Sequence, residues 1–179
     1  MNIKILFPLF LVLTGLFLGG CASPAQSNAM VAPSMGGITK HAESVSINVT
    51  GGSPTTAMTA SQISNDDFTA ALSQSIQQSG LFSKINAAGQ ADDYHLEVAI
   101  VRLQQPIMGF SMTATIETNW TLTRLSDHSV VWRKAITSSH TAKTGEAFAG
   151  VTRLRLATEG AAKANIQDAI TQLSAVTFP

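Results

Sequence analysis

A single cysteine stands among 179 residues, so no internal disulfide can staple this chain. Charge is scarce as well: eleven Lys and Arg balance eleven Asp and Glu, and no basic run occurs. A nucleic-acid partner is not expected, because no positive field is present to collect phosphates, and no polybasic stretch exists to hold an anionic membrane surface. The four histidines, at positions 41, 95, 128 and 140, are too scattered to suggest metal-ligand spacing, and no phosphate-cradling motif is present. Neither a metal nor a cofactor is therefore expected. Internal repeats are missing too. What the chain has is apolar substance, 45% of its residues, enough for one domain with a sizeable core.

The apolar content is concentrated first at the N-terminus. One positive charge lies within Met1 to Lys4, and Ile5 to Leu18 is almost wholly apolar. That run falls short of the roughly 20 residues needed to span a bilayer, and its layout is that of a secretory signal. It ends in Leu18-Gly19-Gly20-Cys21. This stretch resembles a bacterial lipobox, in which an aliphatic residue and two small ones precede a cysteine that receives a diacylglyceryl group. The resemblance implies that residues 1–20 are a signal peptide, that residues 21–41 are the acylated cysteine and a flexible linker, and that residues 42–179 form a periplasmic domain. A thioether at Cys21 would also remove an exposed thiol from an oxidising compartment. Each buried CH₂ contributes about 0.8 kcal/mol, so the two or three chains of a bacterial lipoprotein, palmitate among them, would hold it firmly in the membrane. Ala22 stands where inner-membrane lipoproteins typically carry aspartate, which implies the periplasmic face of the outer membrane.

From Ala22 to about Lys40 the chain is rich in Ala, Ser, Pro, Gly and Met without periodicity, as linkers are. A strand follows in which Val45, Ile47 and Val49 alternate with polar residues. Ser64-Asn65-Asp66-Asp67 then matches a capping box, Phe68, Leu72 and Ile76 form a helical stripe, and Gly80 stops the helix. Tyr94, Leu96, Val98 and Ile100 mark a second strand. The longest alternation comes next, with Phe110, Met112, Ala114, Ile116, Trp120 and Leu122 on a dry face and Ser111, Thr113, Thr115, Glu117, Asn119, Thr121 and Thr123 on a wet one. After the turn at "LSDHSV", Val130, Trp132 and Ile136 continue the dry face. Leu154, Ala157, Ala161, Ala164, Ala169, Leu173 and Val176 suggest a closing helix with a small-residue face, and Arg155 can pair with Glu159 at i+4. The expected fold is α+β: a four-stranded antiparallel sheet with two helices packed on one face, in the order β-α-β-β-β-α.

"SSHTAKTGEAFAGVTRLRLATEGAAKANI", "GLFSKI" and "NWTLTRL", beside the lipobox, resemble a family of small proteobacterial outer-membrane lipoproteins of uncertain function. Some of those relatives are called UDP-N-acetylglucosamine acyltransferase. That activity implies a left-handed β-helix of hexapeptide repeats, which this chain lacks, so the name is read as a mislabelling. A looser likeness, in the layout of elements alone, is to periplasmic lipoproteins that assist envelope machines. Residues with chemistry gather in one segment: His140, Glu146, Arg153, Arg155 and Glu159. They could act as base, orienter and anion clamp, but no nucleophile or metal motif accompanies them. The expectation is a non-catalytic accessory or binding module, held to the membrane by its lipid and serving an envelope protein partner. His140, Glu146 and Arg153 are the candidate partner-binding residues. Arg153 is singled out because it has no acid at i+4, where Ala157 stands. The alternative is an enzyme acting on an envelope glycan or lipid. A deep pocket uniting His140, Glu146 and Arg153 would favour the enzyme; a flat polar sheet face or an open strand edge would favour the binding module.

Overall fold

A computed structural model describes residues 22–56, 60–86 and 92–178. Cys21 and the lipobox residues Leu18, Gly19 and Gly20 lie outside the described residues. The elements run α1 Ser27–Met30, β1 His41–Thr50, α2 Asn65–Ser79, β2 Phe82–Asn86, β3 Tyr94–Gln104, β4 Met112–Arg124, β5 Val130–Ala142 and α3 Gly150–Ser174. No helix among the described residues is long and apolar enough to cross a membrane.

The α+β class is as expected, but the sheet is mixed and has five strands, in the order β2-β1-β3-β4-β5. The expected four-stranded antiparallel sheet is corrected in two respects. β1 runs parallel to both of its neighbours, and β2 is a strand that the sequence reading omitted. Direction follows from the connections. β1 leads through α2 to β2, and a helical crossover returns the chain parallel to its starting strand. β2 pairs with β1 between His41 and Ser46, whereas β3 joins on the other side from Val45 to Thr50, so β2 and β3 flank β1. Asp93, just ahead of β3, is held to β1 by accepting from both the Ser44 N–H and its Oγ at 2.8 Å.

The long alternation behaves as read. Met112, Ala114, Ile116, Trp120 and Leu122 are buried, and Thr113 and Asn119 are exposed. Phe110 departs from it, lying ahead of β4 and exposed. Val45, Ile47, Val49, Tyr94, Leu96 and Val98 extend the same dry face across β1 and β3. Both long helices cover it. α2 starts where the capping box predicts, with Ser64 Oγ accepting from the Asp67 N–H at 3.0 Å, and stops at Gly80, whose φ of 66° suits a residue without Cβ. Phe68 meets Trp120 with ring centres 6.2 Å apart. α3 buries Ala157, Ala161, Ala169 and Leu173 as expected, together with Ala162, Ile166 and Ile170. Val176 falls beyond its end. Its contact is keyed by a buried polar chain: the Trp120 indole N–H donates to Thr118 Oγ1 at 2.7 Å, Thr118 Oγ1 donates to Asn165 Oδ1 at 2.7 Å, and Asn165 Nδ2 donates to the Ile136 carbonyl at 3.1 Å.

The segment read as a flexible linker is partly built into the domain. Ala25, Met30 and Ala32 are buried, the Ala25 N–H donates to the Gln62 carbonyl at 3.2 Å, and the Ala32 N–H donates to Ser75 Oγ at 2.9 Å. Its physical basis is small side chains around one flexible methionine, which fill a groove without any helical period.

Candidate functional site

β5 is an edge strand. One side pairs with β4, from Thr123↔Val130 to Met112↔Ala142, and no described strand pairs with the other. The strand is 13 residues long and its ladder with β4 is unbroken from Met112 to Leu122, so it offers a straight row of backbone donors and acceptors. The wet face beside it is built from short hydroxyl side chains. Thr113 and Thr141 share a hydrogen bond of 2.8 Å across the pair, as do Thr115 and Ser139.

His140 belongs to the opposite face of the same strand. It stands opposite Ala114, and α3 passes over its ring at Gly160, where an added Cβ would come within 2.8 Å of Nε2. Only glycine lets helix and imidazole approach so closely. An open cleft of about 410 Å³ lies along this edge, lined by Ala29, His140, Glu146, Leu156, Glu159 and Lys163 among others. His140 and Glu146 are thus brought together, both exposed. Glu146 precedes α3 rather than opening it, and its carboxylate accepts from the Lys143 N–H at 2.7 Å, closing a local turn.

Arg153 does not join them. It is buried at 7% exposure, and its Nη1 donates to the carbonyls of Ala147 and Phe148, both at 2.7 Å, while Nη2 reaches the Gly109 carbonyl at 3.4 Å. The arginine ties two loops together through their backbones. Its choice as a free cation rested on the missing acid at i+4, but backbone carbonyls satisfy a guanidinium equally well. Glu159 is occupied too: its Oε1 accepts from the Gln26 N–H at 3.0 Å and lies 3.8 Å from Arg155 Nε. Base, orienter and anion clamp are therefore not assembled around one point. Lys163 and Gln167 line the cleft and were not singled out from sequence, since each reads there as an ordinary solvated helix residue. Among the described residues, no three His, Cys, Asp or Glu side chains gather as a metal site would require.

The carboxylates with displaced titration lie at the far end of the sheet. The Ser44 N–H and hydroxyl hold Asp93 below the ordinary carboxyl value, and the Ser129 hydroxyl and N–H do the same for Asp127.

No family model matches the sequence, and no curated protein does. Solved structures do share the fold. Protein XCC0632 of Xanthomonas campestris, described by the family model DUF330, is 16% identical, with a TM-score of 0.63 over 79% of this chain and 89% of its own. The hypothetical protein CT253 of Chlamydia trachomatis is 7% identical, with a TM-score of 0.56 over 75% of this chain and 97% of its own. A PelC variant from Paraburkholderia phytofirmans, solved as a dodecamer, is 15% identical, with a TM-score of 0.51 over 81% of this chain and 93% of its own. At these identities the likeness is one of fold.

Proposed function

We propose that this chain is an outer-membrane lipoprotein that binds a protein partner in the periplasm through the free edge of β5 and the polar sheet face beside it. The observation that carries the reading is the 13-residue open edge next to a wet face of threonines and serines, the arrangement that accepts an added strand. Backbone pairing supplies affinity, and the alternating hydroxyls of Thr137, Ser139 and Thr141 supply the side-chain contacts. The Leu18-Gly19-Gly20-Cys21 pattern supports the anchor. The cleft behind the edge, with His140, Glu146 and Lys163, would take side chains of the same partner strand on its other face. Arg153 acts as a structural tie in this reading, and His140 and Glu146 remain contact residues.

Photoreactive residues test the edge. Placed at Ser139, one forms an adduct with an envelope protein in living cells; placed at Ser126, at the far end of the sheet, it does not. Equal adduct formation at both positions contradicts the edge as the binding surface. The anchor is tested by Cys21→Ser, which abolishes palmitate incorporation and leaves an unprocessed precursor; unchanged incorporation contradicts it.

A further inference from the structure

Four large apolar side chains stand in water at one end of the molecule. Ile107 is 97% exposed, Met108 81% and Phe110 84%, all in the loop from β3 to β4, and Phe148 is fully exposed in the loop from β5 to α3. The stretch Gln105 to Ser111 carries no charged residue. Solvent alone does not favour such a cluster, and apolar groups concentrated on loop tips mark a surface that is covered in use.

The tips are held in place. Arg153 grips the Ala147, Phe148 and Gly109 carbonyls, and Thr144 Oγ1 donates to the Phe110 carbonyl at 3.3 Å, so the two loops form one knob. The buried arginine that does not serve as a contact residue has this task.

The course of the N-terminal segment indicates what covers the knob. Ala25 bonds to Gln62, and the neighbouring Ser61 carbonyl accepts from Gln105 Nε2 at 2.6 Å, at the root of the loop that carries Ile107 and Met108. Cys21 is four residues before Ala25, and four extended residues span at most about 14 Å. The acyl chains would therefore enter the bilayer at the end of the domain where the apolar tips stand. We propose that Ile107, Met108, Phe110 and Phe148 insert into the lipid surface that holds the anchor, seating the domain in a fixed orientation instead of leaving it free on a tether. The insertion would be the shallow kind by which apolar side chains enter the headgroup and acyl boundary. This rests on the reading of Cys21 as acylated. It also stands β5 up from the lipid, with its Ala142 end beside the knob and its Val130 end at the opposite end of the sheet.

The test uses the full acylated chain in vesicles of phosphatidylethanolamine and phosphatidylglycerol. A cysteine introduced at Met108 or Phe148 carries an environment-sensitive fluorophore, with Ser126 and Asn119 as reference positions. Labels at 108 and 148 shift to the blue on vesicles and are quenched by lipids bearing a nitroxide near the headgroup, while those at 126 and 119 do neither. If the chain floats with the vesicles and the four labels behave alike, insertion is overturned and the anchor reading stands. If the chain with its native Cys21 does not float, the anchor reading fails and the proposal falls with it. A blue shift at 108 and 148 that rises with protein concentration in the absence of vesicles assigns the knob to a second copy of the chain and also overturns insertion.

Discussion

Replacing Thr118 by valine keeps the shape of the side chain and removes one hydroxyl from the middle of the protein. Thr118 is 1% exposed, and its Oγ1 both accepts from the Trp120 indole and donates to Asn165 Oδ1. Valine fits the strand equally well, so β propensity is not the issue. The change leaves an indole N–H and an amide oxygen buried without these partners, each costing about 1 to 3 kcal/mol. Asn165 keeps its bond to the Ile136 carbonyl, which limits the damage, and a loss of about 2 to 4 kcal/mol is expected. For a domain of this size that lowers Tm by about 5 to 15 °C, read by circular dichroism or calorimetry. Thr121→Val, three residues further on and therefore on the wet face, is the control and should move stability by no more than about 0.5 kcal/mol. Thr118→Val combined with Asn165→Leu should lose less than the sum of the single losses, because the orphaned amide oxygen is then gone. Equal melting shifts for Thr118→Val and Thr121→Val would refute the assignment of the buried polar chain and of the two sheet faces.

Met30→Ala should cost about 2 to 5 kcal/mol, since the side chain is fully buried; a melting curve identical to wild type would show that residues 25–32 do not belong to the folded unit. Gly160→Ala gains up to about 1 kcal/mol of helix propensity but collides with the His140 ring, so it should stabilise the protein only when His140→Ala is also present; stabilisation in both backgrounds would contradict the contact. Because Asp93 titrates below its ordinary 3.8, it contributes stability above that pH which is lost as pH falls through its lowered value. Asp93→Asn should therefore melt below wild type at pH 7 and converge with it in strong acid. A gap that persists at low pH would contradict the Ser44 contact as its source.

Legibility in the sequence followed the strength of the pattern. β4 could be read residue by residue because thirteen positions alternate, and α2 because its cap, stripe and stop signal agree. β2 could not, since "FSKIN" is five residues long and alternates weakly beside a helix stop. The parallel pairing of β1 was hidden for a different reason: strand direction is set by the crossover through α2 and leaves no mark on the residues of β1 itself. His140 and Glu146 are near in sequence, and both line the cleft beside β5. Arg153 was misread because its partners are main-chain carbonyls, which any residue supplies. The apolar knob escaped notice because Ile107, Met108 and Phe148 show no periodicity; only their exposure, together with the latch between the loops, reveals them.

Amide hydrogen exchange along β5 tests the central claim most directly. The chain recovered from outer membranes with its partners attached should show slowed exchange at alternate amides of Val130–Ala142 compared with the purified chain alone, because a strand added to the free edge engages every second N–H. Exchange in β5 that is identical in the two preparations, with protection appearing elsewhere on the domain, would contradict the edge as the binding surface.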